Sequence, residues 1–277
     1  MRWLQFIFTH SLFISFCAAA MCVQTYILTG LIIEYKVCWF VFFSTLASYN
    51  FYWLVSKYAF RRNSLTTAFL TAELSYLLFF IVAGFGSLFY ALQLPHLWGL
   101  ISIGVILTLL YSLPLWPFRF VQKTPKPGFL KTVLLAFTWA YVITVLPVES
   151  SSGFDRVEFL LLFTTRFFFM LMLCSIFDMR DVAMDQLYSL KTLATAVSPK
   201  TLQRVMAVTF SIYMFAGITM SLYFSNSKQM VAFSITAALL WYMYRLSLRK
   251  QGYLFYYFGV DGLMLFSSIA TIVAHWL

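Results

Sequence analysis

Nine mostly apolar stretches follow one another through this chain with short interruptions, near 11–33, 37–56, 66–91, 97–115, 129–148, 157–177, 203–224, 229–247 and 254–276. Each has about the 20 residues that a helix needs to cross the hydrocarbon core of a bilayer. They leave almost nothing for a separate soluble domain. The expected fold is therefore all-α, a polytopic membrane protein with about nine transmembrane helices, and residues 1–277 form a single transmembrane domain. Composition agrees, because the 277 residues are 62% hydrophobic and only 10% charged, whereas about a quarter of a soluble domain is charged.

The first stretch has some features of a secretory signal, with Arg2 ahead of an apolar run that contains Ala18, Ala19 and Ala20. The run continues to Ile33 and eight more follow, so it reads as the first membrane helix. Cys17, Cys22, Cys38 and Cys174 lie in or beside spans without a metal-like spacing and read as packing residues.

The net charge of +10 is explained by where the basic residues fall. With a cytoplasmic N-terminus, the cytoplasmic side carries Arg2, Lys57, Arg61, Arg62, Arg119, Lys123, Lys126, Lys131, Arg180, Lys191, Lys200, Arg204, Arg245, Arg249 and Lys250. The opposite side carries Lys36, Arg156 and Lys228, and an asymmetry of 15 to 3 is what the positive-inside rule requires. The charge belongs to topology and to anionic lipid, not to nucleic acid. The expected location is a bacterial inner membrane, with the N-terminus in the cytoplasm.

The acids carry more information. Glu34, Glu149, Asp155 and Glu158 lie on the far side, Glu73 and Asp261 fall inside spans three and nine, and Asp178, Asp181 and Asp185 are the cytoplasmic acids. If span six continues as a helix, these three aspartates fall within a wedge of roughly 60° and spread over about 10 Å of axis. Like charges that close repel unless something positive sits among them. Two readings stand: a Mg²⁺ ion held by carboxylates with phosphate completing its shell, or an ordinary acidic loop or helix start favoured by the helix dipole.

The run Asp178-Met179-Arg180-Asp181, then Asp185, then Lys191-Thr192-Leu193 resembles the second aspartate motif of the UbiA superfamily of intramembrane prenyltransferases. Tyr111-Ser112-Leu113-Pro114, followed by Pro127-Gly128 and Lys131, is similar to that family's loop between helices four and five. The resemblance implies a nine-helix ring around a lipid-facing pocket, a prenyl diphosphate bound through Mg²⁺, loss of diphosphate, and capture of the allylic cation by an acceptor. The family's first motif, Asn-Asp-x2-Asp-x3-Asp, is degenerate here. Asn50 is kept, while Phe51, Leu54 and Tyr58 stand where the aspartates would be.

By residue count, Lys57 and Arg61 fall on the same helical stripe as Asn50. Both can hold phosphate directly, which suggests a hybrid site with these cations replacing a second metal; the alternative is that they set topology or meet lipid head groups. The expected site is thus Asp178, Asp181 and Asp185 for Mg²⁺ and catalysis, with Asn50, Lys57, Arg61, Tyr111, Lys131, Arg180 and Lys191 for substrate. The expected partners are a prenyl diphosphate, a lipid or aromatic acceptor, and membrane lipid. A non-catalytic relative that binds an isoprenoid or phospholipid head group is the second reading. Arg166 in span six, with Glu73 and Asp261, should face protein or water rather than lipid.

Overall fold

The computed structural model describes residues 2–60, 67–112, 128–150, 155–187, 193–223 and 227–277, and side chains at these positions except 2–5, 56–60, 67–73, 128–129, 183–187, 193 and 196. Helix α1 (Arg2–Thr9) breaks at His10 and Ser11, the latter left-handed at φ 62°, before α2 (Leu12–Thr29). There follow α3 (Tyr35–Phe60), α4 (Thr67–Leu92), a 3-10 turn (Pro95–Leu97), α5 (Trp98–Ser112) and α6 (Gly128–Ala140). A π turn (Tyr141–Val145) and a last helical turn (Leu146–Glu149) extend α6. Then come α7 (Arg156–Leu187), a short turn (Leu193–Ala196), α8 (Pro199–Tyr223) and α9 (Ser227–Ser247). A second π turn (Phe255–Val260) leads into α10 (Asp261–Trp276). The described residues contain no strand.

Eight of the described helices are long and apolar enough to cross a membrane. The expected second span, α3, is just as long at 26 residues. It falls short of that apolarity because Ser44, Thr45, Ser48, Tyr49, Asn50 and Tyr52 interrupt it. The first span ends at Thr29, not Ile33. Gly30 adopts φ 64°, its N–H bonds to the Ile27 carbonyl at 3.4 Å, and the Leu31 N–H bonds to the Tyr26 carbonyl at 3.1 Å. That pair of bonds is a Schellman ending, which needs a residue free to take positive φ.

The helices form a ring in which each packs on the next: α4, α3, α2, α10, α9, α8, α7, α6 and α5. The ring returns to α4 chiefly through the 3-10 turn, so a seam separates α4 from α5. Both seam helices turn large apolar side chains outward, Phe85 being 70% exposed and Leu78, Phe89, Val105 and Ile106 more than half exposed. Such faces are stable against lipid, which is as apolar as they are. The chain is a multi-pass membrane protein.

The π turn in the α6 extension has a local cause. Pro147 lacks the N–H that would bond to the Ile143 carbonyl, and its ring crowds that carbonyl. In hydrocarbon the freed oxygen must find another donor, and the Thr25 hydroxyl of α2 supplies it at 2.7 Å. Thr25→Val should therefore lower stability by about 1 kcal/mol. In a Pro147→Ala background, where the backbone can refill the bond, the same change should cost much less. Detergent unfolding of the four proteins of that cycle measures the difference, and equal costs in both backgrounds would remove the explanation.

Candidate functional site

Asp178 and Asp181 lie one turn apart near the end of α7. The Asp178 carboxylate accepts a hydrogen bond from the Thr132 hydroxyl of α6. Asp181 accepts two from its neighbour Arg180, from Nε at 2.6 Å and from the second terminal nitrogen at 2.7 Å. This bidentate pair is the strong form of a carboxylate–guanidinium contact. The guanidinium also stands over three rings, 5.0 Å from Phe177, 5.2 Å from Tyr256 and 5.1 Å from Tyr257. Both tyrosines come from the π turn before α10, a departure from α-geometry often found at functional sites.

Helix α6 also borders a cavity of about 380 Å³ at the seam of the ring. Its lining is mostly apolar and comes from α3, α4, α5, α6 and the α6 extension, with Phe51, Tyr52, Phe80, Tyr111, Leu135 and Trp139 prominent. Its size suits a small-molecule tail. Thr132, Leu135 and Trp139 share one stripe of α6, so the wall that lines the cavity also carries the hydroxyl that holds Asp178. Tyr52 stacks on Tyr111 with centroids 5.5 Å apart, and the Lys131 ammonium lies 5.7 Å from the Tyr111 centroid. Polar and cationic groups thus gather at one end of an otherwise greasy chamber.

Asp178, Tyr111 and Lys131 therefore meet around α6, and Arg180 and Asp181 meet each other. Asn50 is elsewhere. Its side chain is 0% exposed and its amide nitrogen donates to the His10 carbonyl at 3.1 Å and the Leu46 carbonyl at 2.8 Å. It braces the break between α1 and α2, and it does not line the cavity. The side chains of Lys57 and Asp185, and all of Arg61 and Lys191, lie outside the described residues. Among the described residues no group of three His, Cys, Asp or Glu side chains could hold a metal, and the two described carboxylates of the trio are turned to different partners. Thr132, Tyr52, Tyr256 and Tyr257 carry no sequence signal that would have marked them; only packing brings them to this end of the bundle.

The backbone matches the apo structure of a UbiA homolog from Aeropyrum pernix K1 with a TM-score of 0.65, over 94% of this chain and 96% of that one, at 12% identity. This chain has the UbiA fold. It also matches a solved digeranylgeranylglyceryl phosphate synthase with a TM-score of 0.60 over the full length of both chains at 14% identity. No family model and no curated protein matches the sequence. Within this UbiA fold, the degenerate first motif acquires a structural meaning. Phe51 packs against Phe80 with centroids 5.5 Å apart and lines the cavity, so the position where the motif would place a carboxylate is part of the apolar wall.

Proposed function

We propose that the protein is a UbiA-like prenyltransferase that moves a prenyl group from a prenyl diphosphate to a lipid or aromatic acceptor, at the cytoplasmic face of a bacterial inner membrane and with its N-terminus in the cytoplasm. One observation carries this reading: the seam cavity of about 380 Å³ is mostly apolar and shares a helix wall with the hydrogen-bonded Asp178. An isoprenoid tail suits the chamber and a diphosphate suits its charged end. All 277 residues act as one transmembrane unit in this reading.

Asp178 and Asp181 offer the hard carboxylate oxygens that Mg²⁺ prefers, at one end of one helix and partly exposed. Asp178, Asp181 and Asp185 would hold the ion, whose charge offsets that of the departing diphosphate. Lys131 and Arg180 add fixed positive charge at the same end, and Lys57, Arg61 and Lys191 complete the proposed phosphate-binding set. The carbon–oxygen bond of the donor breaks with its electron pair leaving on diphosphate. The faces of Tyr52, Tyr111 and Trp139 flank the resulting allylic cation, which an acceptor nucleophile captures with loss of a proton. Water is kept out by the apolar walls.

A second reading has its own support. Phe51 replaces an acid and Arg180 occupies both oxygens of Asp181, as expected of a relative that binds an isoprenoid or phospholipid head group without turnover. Purified protein given Mg²⁺ and a panel of prenyl diphosphates separates the two. Diphosphate release above an Asp181→Asn control supports the transferase; binding without release from any donor, in the presence of candidate acceptors, supports the binding protein. Unchanged donor binding in Lys57→Ala or Arg61→Ala would return those cations to membrane topology.

The chamber should also limit donor length. Gly104 lines it, and a Cβ there would meet Tyr141 and Val142 only at ordinary contact distances of 3.7 and 3.9 Å. Gly104→Leu is expected to keep the fold and project its extra carbons into the cavity. Release from the longest accepted donor should fall by about tenfold or more while the shortest is spared. Equal effects on both would mean that the tail lies elsewhere.

A further inference from the structure

Arg166 sits on α7 about 18 Å along the axis from Asp178, at 1.5 Å per residue, in the part of the bundle remote from the candidate site. It is 4% exposed and borders a separate cavity of about 30 Å³ between α2, α7, α8, α9 and α10. One terminal nitrogen donates to the Gln24 side-chain oxygen at 2.8 Å. Its Nε and other terminal nitrogen have no hydrogen-bond partner among the described residues, and no described carboxylate pairs with it.

A guanidinium does not shed its proton, so a full positive charge with two unspent donors is held in a low-dielectric interior. That is costly unless an anion or a strong acceptor meets it. No described protein group accepts a hydrogen bond from either of these two nitrogens. The hydroxyls of Thr165, Ser221 and Thr236 donate to the carbonyls of Leu161, Gly217 and Ala232, and none of them accepts from Arg166. The Gln24 amide nitrogen is spent on Ser267 and Thr271. The Tyr213 hydroxyl belongs to the same lining and adds another donor.

We propose that this cavity is a binding site for one monatomic anion, chloride under ordinary conditions, held by the two unspent nitrogens of Arg166 and the hydroxyl of Tyr213. About 30 Å³ admits one such ion or one or two waters, and it excludes phosphate and carboxylate ligands. Bound there, the ion neutralises Arg166 and ties α7 to α8 inside a cavity that five helices line. The site is independent of the prenyltransferase reading, because no residue of it lines the seam cavity.

The test uses the full-length protein, kept halide-free in sodium gluconate from membrane extraction onward. Titration with sodium bromide at constant ionic strength should raise the unfolding midpoint with the logarithm of bromide concentration above the dissociation constant, by about 4 °C at ten times that constant. Crystals grown in bromide should show an anomalous peak within hydrogen-bond distance of Arg166. Arg166→Gln should abolish the halide-dependent shift, and Tyr213→Phe should weaken halide binding about tenfold. If Arg166→Gln fails to fold, Tyr213→Phe and the wild-type crystals decide the matter alone. Water-like density with no anomalous peak, or a midpoint that bromide and gluconate affect equally, would overturn the proposal.

Discussion

Asp178→Asn and Asp181→Asn proteins are expected to fold normally and yet release diphosphate roughly 10³-fold more slowly than wild type. The amide keeps the shape and one acceptor oxygen of each side chain while removing the charge. At 178 the remaining oxygen can still take the Thr132 hydroxyl. At 181 it keeps one of the two bonds from Arg180, whose guanidinium is also held over Phe177, Tyr256 and Tyr257. Local structure should survive, so the loss falls on whatever needs negative charge, which in the proposed function is the Mg²⁺-bound diphosphate. Release kinetics and thermal unfolding should be measured on the same samples across a range of Mg²⁺ concentrations. Loss of release that tracks loss of folded protein, or release that does not change, would remove the catalytic role of the aspartates. Arg180→Lys is the companion, since a lysine cannot reproduce the fork. It should weaken the junction between α7 and the π turn and leave the Mg²⁺ requirement as it was.

Gln24→Leu should cost about 3 kcal/mol of stability. Gln24 is almost fully buried and connects three helices. Its nitrogen donates to the Ser267 carbonyl at 3.1 Å, the Ser267 hydroxyl at 3.0 Å and the Thr271 hydroxyl at 2.7 Å, and its oxygen accepts from Arg166 and from Ser268. Single hydrogen bonds between membrane helices contribute little, because a loosened helix finds other partners. Here one side chain serves several groups at once, and its loss removes the only protein acceptor described for Arg166 and strands that donor. Denaturant unfolding in mixed micelles is the measurement. A midpoint within error of wild type would show that Arg166 is satisfied without Gln24.

Much of the architecture was legible from the chain alone. The spans near 66–91, 203–224 and 229–247 correspond to α4, α8 and α9 within a few residues, because a long apolar run in lipid has few choices besides a helix. The all-α polytopic fold and the resemblance to UbiA proteins followed from such local features. Arg166 was recognisable as a residue that must face protein, since exposure to hydrocarbon is so costly. Its acceptor was not recognisable, because Gln24 lies 142 positions away and carries no charge to announce the pairing. Asn50 shows the opposite case. Its place in a motif suggested a ligand contact, whereas the structure spends its amide nitrogen on two backbone carbonyls.

Local sequence thus determined that this protein is a set of membrane-crossing helices, roughly where each begins and ends, and that three aspartates stand at the end of the sixth span. Tertiary structure alone decided which helices are neighbours, that the ring opens at a seam between α4 and α5, that Thr132 meets Asp178, and that a pair of tyrosines from a π turn meets Arg180. The division has a physical cause. Hydrophobicity places each helix in the bilayer one at a time, but it scarcely distinguishes a lipid neighbour from a protein one, so the order of helices around the ring rests on shape and on a few long-range hydrogen bonds that no local pattern displays.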